Sequence, residues 1–178
     1  MAIWSDECTY PELFNNDSSF WESDSLDSWD YNCGSYALDI KQWYYPYPDR
    51  DERDAWIQEM YDEGRSLRAI KEAILEDDIS NMLAQFRDYL QPINSPNDVP
   101  YSRDVIAYRI SLMVNEDEAY NPELVYDFHF KVRRNGKWSE KQGYGPILSC
   151  DLDENVIWDA GWMLQYDSPI KYFVVNKI

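Results

Sequence analysis

Leu124-Val125-Tyr126-Asp127-Phe128-His129-Phe130-Lys131-Val132-Arg133-Arg134-Asn135-Gly136 is the stretch that decides the fold. Side chains on an extended chain alternate between two faces. Leu124, Tyr126, Phe128, Phe130 and Val132 therefore make an apolar face, while Val125, Asp127, His129 and Lys131 share a more polar one. Asn-Gly at the end of such a run is the strongest short signal for a two-residue hairpin turn, because both positions need positive φ. A strand and an immediate antiparallel return are predicted. Residues 105–114 read as another strand, and further strands are expected at 145–149, 156–158, 161–166 and 170–176.

Upstream the hydrophobic period changes to that of helices. Residues 32–42 read as a short helix with Asn32 as N-cap and Cys33, Tyr36, Ala37 and Ile40 on its inward face. Trp43-Tyr44-Tyr45-Pro46-Tyr47-Pro48 stops it, since proline disfavours helical geometry in the residue before it. Residues 52–63 carry the stripe Trp56, Ile57 and Met60, and Gly64 is a natural stop. Ser66 caps a second helix with Leu67, Ile70, Ile74 and Leu75, and a third carries Ile79, Met82, Leu83, Phe86 and Leu90. Pro92, Pro96 and Pro100 mark the way out of this half. Helices first and strands afterwards predict an α+β fold, with N-terminal helices packed on an antiparallel sheet.

With 178 residues, 44% hydrophobic and 16% aromatic, the chain can bury a core despite a mean hydropathy of -0.66. No apolar run approaches the roughly 20 residues of a membrane span, and the first residues lack a basic and apolar leader pattern. A cytoplasmic protein without membrane contact is expected. The 34 acidic residues outnumber 16 basic ones, giving a net charge of -18. That field repels phosphate backbones, so direct nucleic-acid binding is not expected. Residues 55–90 have a helix-turn-helix look, yet Glu72, Glu76, Asp77 and Asp78 stand where a reading helix needs basic or amide groups.

Cys8, Cys33 and Cys150 are an odd set without Cys-x-x-Cys spacing, which suits free thiols in a reducing compartment. With one histidine and no calcium-loop spacing among the carboxylates, no metal or cofactor is expected. Residues 1–30 contain no Lys or Arg but many aromatics, and form an acidic segment expected to lie against the domain 31–178. Lys131, Arg133, Arg134, Lys137 and Lys141 concentrate positive charge on the hairpin. They are expected to form a rim that holds an acidic segment, either substrate or residues 1–30.

Cys33 and His129 are the candidates for chemistry. A thiol in the first turn of a helix sits in the field of unpaired N–H groups, which favours the thiolate. An imidazole nearby takes the proton and returns it to a leaving group.

Asn32-Cys33-Gly34-Ser35-Tyr36-Ala37-Leu38 resembles the Asn-Cys-x-x-Tyr-Ala-Leu opening of a papain-like (NlpC-type) cysteine hydrolase family of bacteria and phages. Tyr126-Asp127-Phe128-His129-Phe130 and Asn135-Gly136-Lys137-Trp138-Ser139-Glu140-Lys141 resemble its Asp-Tyr-His-Phe and Gly-x-Trp-Ser-His-Lys run. The resemblance spans about residues 30 to 160, and its specificity lies in those two blocks. It implies a papain-like fold, with Cys33 as nucleophile and His129 as base in the cleavage of an amide or isopeptide bond. Asp151 is the expected orienting residue and Asp153 the second choice. The Cys33 backbone N–H would meet the oxyanion, with Asn32 or Tyr31 as a side-chain donor. Arg133, Arg134 and Trp138 are the expected contacts for a protein or peptide substrate. Glu140 departs from the pattern, standing where relatives often carry a second histidine. The alternative is a catalytically decayed scaffold or a plain acidic binding protein. It would block a basic or nucleic-acid-handling protein partner through its carboxylates and the aromatics of residues 1–30.

Overall fold

In a computed structural model of the chain, residues 20–22, 30–115, 123–141, 147–150 and 166–177 are described. Their helices are α1 (Cys33–Leu38), α2 (Arg50–Asp62) and α3 (Leu67–Gln85). Their strands are β1 (Leu90–Ile93), β2 (Val105–Asn115), β3 (Glu123–Arg134), β4 (Lys137–Lys141), β5 (Ile147–Cys150) and β6 (Lys171–Val175). Each neighbouring pair in the sheet order β1-β6-β2-β3-β4-β5 is antiparallel. The class is α+β.

The β3–β4 turn forms as its sequence requires. Asn135 and Gly136 both take positive φ, 53° and 76°, and Arg134 pairs with Lys137 across the turn. Pairing continues with Arg133 to Trp138 and Val132 to Ser139. On the other side of β3, Ile106, Tyr108 and Ile110 of β2 pair with Val132, Phe130 and Phe128. That shared face carries the main core, which also takes in Ile57 and Met60 of α2 and Ile70, Ile74 and Met82 of α3. The opposite face buries a smaller cluster of Val105, Ala107, Trp138 and Tyr166.

Three local expectations need correction. Helix α1 ends at Leu38 rather than near residue 42, because Asp39 turns left-handed at φ 59° and Ile40 N–H closes back onto the Ser35 carbonyl. The second and third helices are one, α3, since Glu76, Asp77 and Asp78 interrupt the apolar pattern without breaking the backbone. Leu90 is not helical but opens β1, a strand that the prolines had hidden. Pro92 is tolerated there because β1 is an edge strand. Leu90 N–H donates to the Phe86 carbonyl at 2.9 Å. The expected strand at 170–176 is β6, and that at 145–149 corresponds to β5. The segment expected at 156–158, and 161–165 of the last one, lie outside the described residues. Tyr166 is described and is not in a strand.

Helices and sheet are joined by a buried polar knot. Asp78, on α3, accepts hydrogen bonds from Tyr108 Oη at 2.6 Å and Tyr126 Oη at 2.5 Å. Arg53 of α2 reaches it at 3.0 Å and Asp77 at 2.6 Å, with its guanidinium 5.1 Å from the centre of the Trp56 ring. Burial pushes the Asp78 carboxyl up to about 7, against the pull of Arg53 and the two tyrosines. Both phenols are raised, again first by burial and then by the Asp78 charge.

Asp78→Ala takes the acceptor from two buried hydroxyls and one of the two carboxylates from Arg53, and should cost about 3 kcal/mol in urea denaturation. The pH dependence has a definite sign. A carboxyl raised from 3.8 to about 7 contributes stability below about pH 4 and loses it as pH rises through 7. Relative to Asp78→Asn, the wild type should therefore lose stability between about pH 5 and about pH 8.

Candidate functional site

Helix α1 is held at its N-terminus by Asn32. Its Oδ1 accepts from Ser35 N–H at 2.9 Å, and Ser35 Oγ accepts from Asn32 N–H at 3.3 Å, a reciprocal capping box. Asn32 Nδ2 donates to the Tyr44 carbonyl at 2.6 Å. Gly34 permits close packing, since a Cβ there would stand 2.8 Å from Tyr44 and 3.3 Å from Phe130. At the other end, Arg134 donates to the carbonyls of Tyr36 and Ala37, and the Tyr36 and Ser139 hydroxyls share a hydrogen bond. Cys33 is thereby fixed as the first residue of a clamped helix.

Cys33 and His129 are close enough for the thiol to be among the groups that raise the imidazole pKa. The thiol is 4% and the imidazole 7% exposed. His129 lies on the sheet face opposite Phe128 and Phe130. The body of α1, by contrast, packs into the apolar-face core with Tyr36, Ala37 and Leu38.

On its other side His129 Nε2 lies 2.6 Å from Glu140 Oε2. Lys131 Nζ stands 3.7 Å from the same Glu140 oxygen and is 1% exposed. Burial drags the His129 pKa down, but hydrogen bonds to Cys33 and Glu140, and their charge, outweigh it. The net value rises from 6.5 to about 9, so the ring is a cation at neutral pH. Tyr166 lies against the imidazole with ring centres 5.2 Å apart and planes 26° apart.

Several expected site residues do other work. Asn32 caps α1 through its Oδ1 and gives one Nδ2 hydrogen to the Tyr44 carbonyl. Arg133 is buried, donating to the carbonyls of Pro96 at 3.1 Å and Pro100 at 3.3 Å, with Tyr101 4.8 Å away over its guanidinium. Arg134 holds α1 and Asp104, and Trp138 is inside the smaller core. Lys131 and Lys141 are buried too, leaving Lys137 as the exposed base of the five. The hairpin is therefore not a basic rim: cross-strand packing draws its cations inward. Asp151 and Asp153 lie outside the described residues. Glu140, noted in the sequence only as a departure, is the carboxylate that holds the imidazole. Its signal was available, because an Asn135-Gly136 turn places residue 140 opposite 131, on the face of His129.

Phe20–Glu22 belongs to the acidic segment and packs beside α1. Trp21 Nε1 donates to Asp39 Oδ1 at 2.8 Å, and its ring meets Tyr31 and Tyr36 edge to face, each at 5.4 Å. Phe20 adds an edge contact to Tyr31 at 5.4 Å and lies under Lys41 Nζ at 5.2 Å. Among the described residues, rings hold this piece to the residues flanking Cys33, and no hairpin cation takes part. Residues 1–19 and 23–29 lie outside the described residues.

Among the described residues no group of three or more His, Cys, Asp or Glu side chains could hold a metal ion, and no helix is long and apolar enough to cross a membrane. Compared with known proteins, the chain matches no family model, no curated protein and no solved structure.

The chain's single histidine gives an unambiguous proton NMR titration. Its midpoint is expected near pH 9, and Glu140→Gln should lower it by about one unit or more towards 6.5. Because the folded value exceeds the unfolded one, stability from these contacts is complete below about pH 6.5 and is lost as pH rises through 9. Trp21→Ala should speed electrophile labelling of Cys33 about five-fold, the factor for a lost aromatic contact of about 1 kcal/mol. Added salt should leave the wild-type rate little changed, since rings rather than ion pairs make the contact.

Proposed function

We propose that the chain is a papain-like (NlpC-type) cysteine hydrolase that cleaves amide or isopeptide bonds. The carrying observation is the line Cys33–His129–Glu140, in which a buried thiol at the start of α1 acts on an imidazole held by a carboxylate. Attack requires the sulfur in its deprotonated form, and the imidazole beside it is the group that carries the proton. The sulfur attacks the substrate carbonyl, and the oxyanion is met by the Cys33 backbone N–H at the start of α1. His129 then gives its proton to the departing amine as the C–N bond breaks, leaving a thioester on Cys33. Water, deprotonated by the now neutral His129, releases the acid and restores the thiol. Glu140 keeps the ring oriented and stabilises its charge throughout, the part filled elsewhere by an aspartate or asparagine.

Burial of Lys131, Arg133 and Lys141 favours a second reading alongside the first. A surface relieved of those cations, on a chain of charge -18, suits a basic protein partner, whether as substrate or as a target to be blocked.

Labelling with a small electrophile, followed by peptide mapping to separate Cys33 from Cys8 and Cys150, tests the pair. The wild type should react at Cys33 faster than a free thiol peptide under non-denaturing conditions, and His129→Ala should slow that reaction about a hundred-fold. A Cys33 rate unchanged by His129→Ala removes the hydrolase. Salt-sensitive binding to a basic protein that survives Cys33→Ala would then select the binding role.

A further inference from the structure

Outside the Cys33–His129–Glu140 line, one aromatic side chain is built onto the site with unusual redundancy. Tyr166 reaches the polar sheet face from a strap, residues 166–170, that leads into β6. The strap is tied at three points. Arg109 Nε donates to the Ser168 carbonyl at 2.6 Å, Ile110 N–H donates to Ser168 Oγ at 2.9 Å, and Lys71 Nζ meets Asp167 at 2.8 Å. Arg109 is also the cross-strand partner of His129, so the clamp on the strap and the imidazole share one rung of the β2–β3 ladder.

Tyr166 itself is buried and fixed at both ends of its ring. The ring lies along the imidazole, and its hydroxyl donates to Asp127 Oδ2 at 2.6 Å. Asp127 is two residues from His129 on the same strand face and is held in turn, its Oδ1 accepting from Phe128 N–H at 2.9 Å. Burial and then the Asp127 carboxylate raise the phenol, so the hydroxyl stays protonated and keeps donating.

We propose that Tyr166 is a positioning residue for His129: tied through Asp127, its ring fixes the plane of the imidazole and so aims it at Cys33. The role presupposes the thiol–imidazole pair proposed above. Glu140 holds one nitrogen, and a plate along the ring face adds a restraint on rotation about that bond. An aromatic face also favours the imidazolium over the neutral ring. The other charged groups around His129 are Glu140 on β4, Cys33 on α1, Arg109 on β2, and Asp127 and Lys131 on its own strand.

The test uses the full chain and reads the single histidine by NMR together with Cys33 labelling across pH. In the wild type, the His129 ring protons should be displaced upfield by the ring current of Tyr166. Tyr166→Leu should abolish that displacement, lower the titration midpoint by about one unit, and slow Cys33 labelling about ten-fold at neutral pH. Tyr166→Phe keeps the plate and should restore the displacement and most of the midpoint. Wild-type ring protons without an upfield shift overturn the role, and so does a Tyr166→Leu protein that titrates and labels like wild type. Should Tyr166→Leu not fold, the wild-type ring current and the Tyr166→Phe midpoint decide alone. Neither readout needs a substrate, so absence of hydrolysis would count against the enzyme while the role of Tyr166 still stood or fell on its own measurements.

Discussion

A two-residue turn is the constraint on which the rest of the structure depends. Once Asn135 and Gly136 adopt positive φ, the pairing of β3 with β4 has no freedom left, and every side chain of β4 is assigned a face. Ser139 goes to the side of α1, where its hydroxyl meets Tyr36. Trp138 and Glu140 go to the other, where one fills the small core and the other takes hold of His129. A slip of one residue would exchange these sets, withdrawing the carboxylate from the imidazole and pressing it into the apolar core. Fold and site are thus fixed by the same local conformational preference.

The sheet carries a buried ionic group on each face, and the two differ in kind. On the helix side Asp78 is surrounded by donors, Arg53 and two tyrosines, which bind α2 and α3 to β2 and β3. Pairs of that type are costly to break and of modest net benefit to keep. On the opposite side the chain Cys33, His129, Glu140 and Lys131 alternates groups that release and accept protons. Among the described residues, that side is where a thiol stands beside an imidazole, and that asymmetry separates a structural knot from a candidate site.

Much of this was legible beforehand, and the failures have physical causes. The alternation in residues 124–132, the Asn-Gly turn, the Asn32 cap and the stripe of α2 each depend on neighbours in sequence, and each formed. The pairing of Cys33 with His129 was suggested by helix-start and strand-face chemistry and given its weight by the family resemblance. The roles of Arg133, Arg134 and Trp138 were not, because charge and aromatic character say nothing about whether a hairpin face is covered. Here Tyr101, the carbonyls near Pro96 and Pro100, and the end of α1 come from distant segments to cover it. Tyr166 left no local trace either, since its place depends on where β6 enters the sheet. Strand β1 was hidden by Pro92, a residue that argues against a strand anywhere except at an edge.

That edge has a consequence for how molecules of this protein can join. The outward backbone positions of β1 are those of Leu90 and Pro92. The first already spends its N–H on Phe86, and the second has none. A further strand laid along β1 would find carbonyls but no donors. End-to-end stacking of sheets into a filament needs two receptive borders on each molecule, and here one is chemically mute. Among the described residues, backbone-paired association along the β1 border is therefore disfavoured, which works against the long ordered polymers that exposed sheets invite.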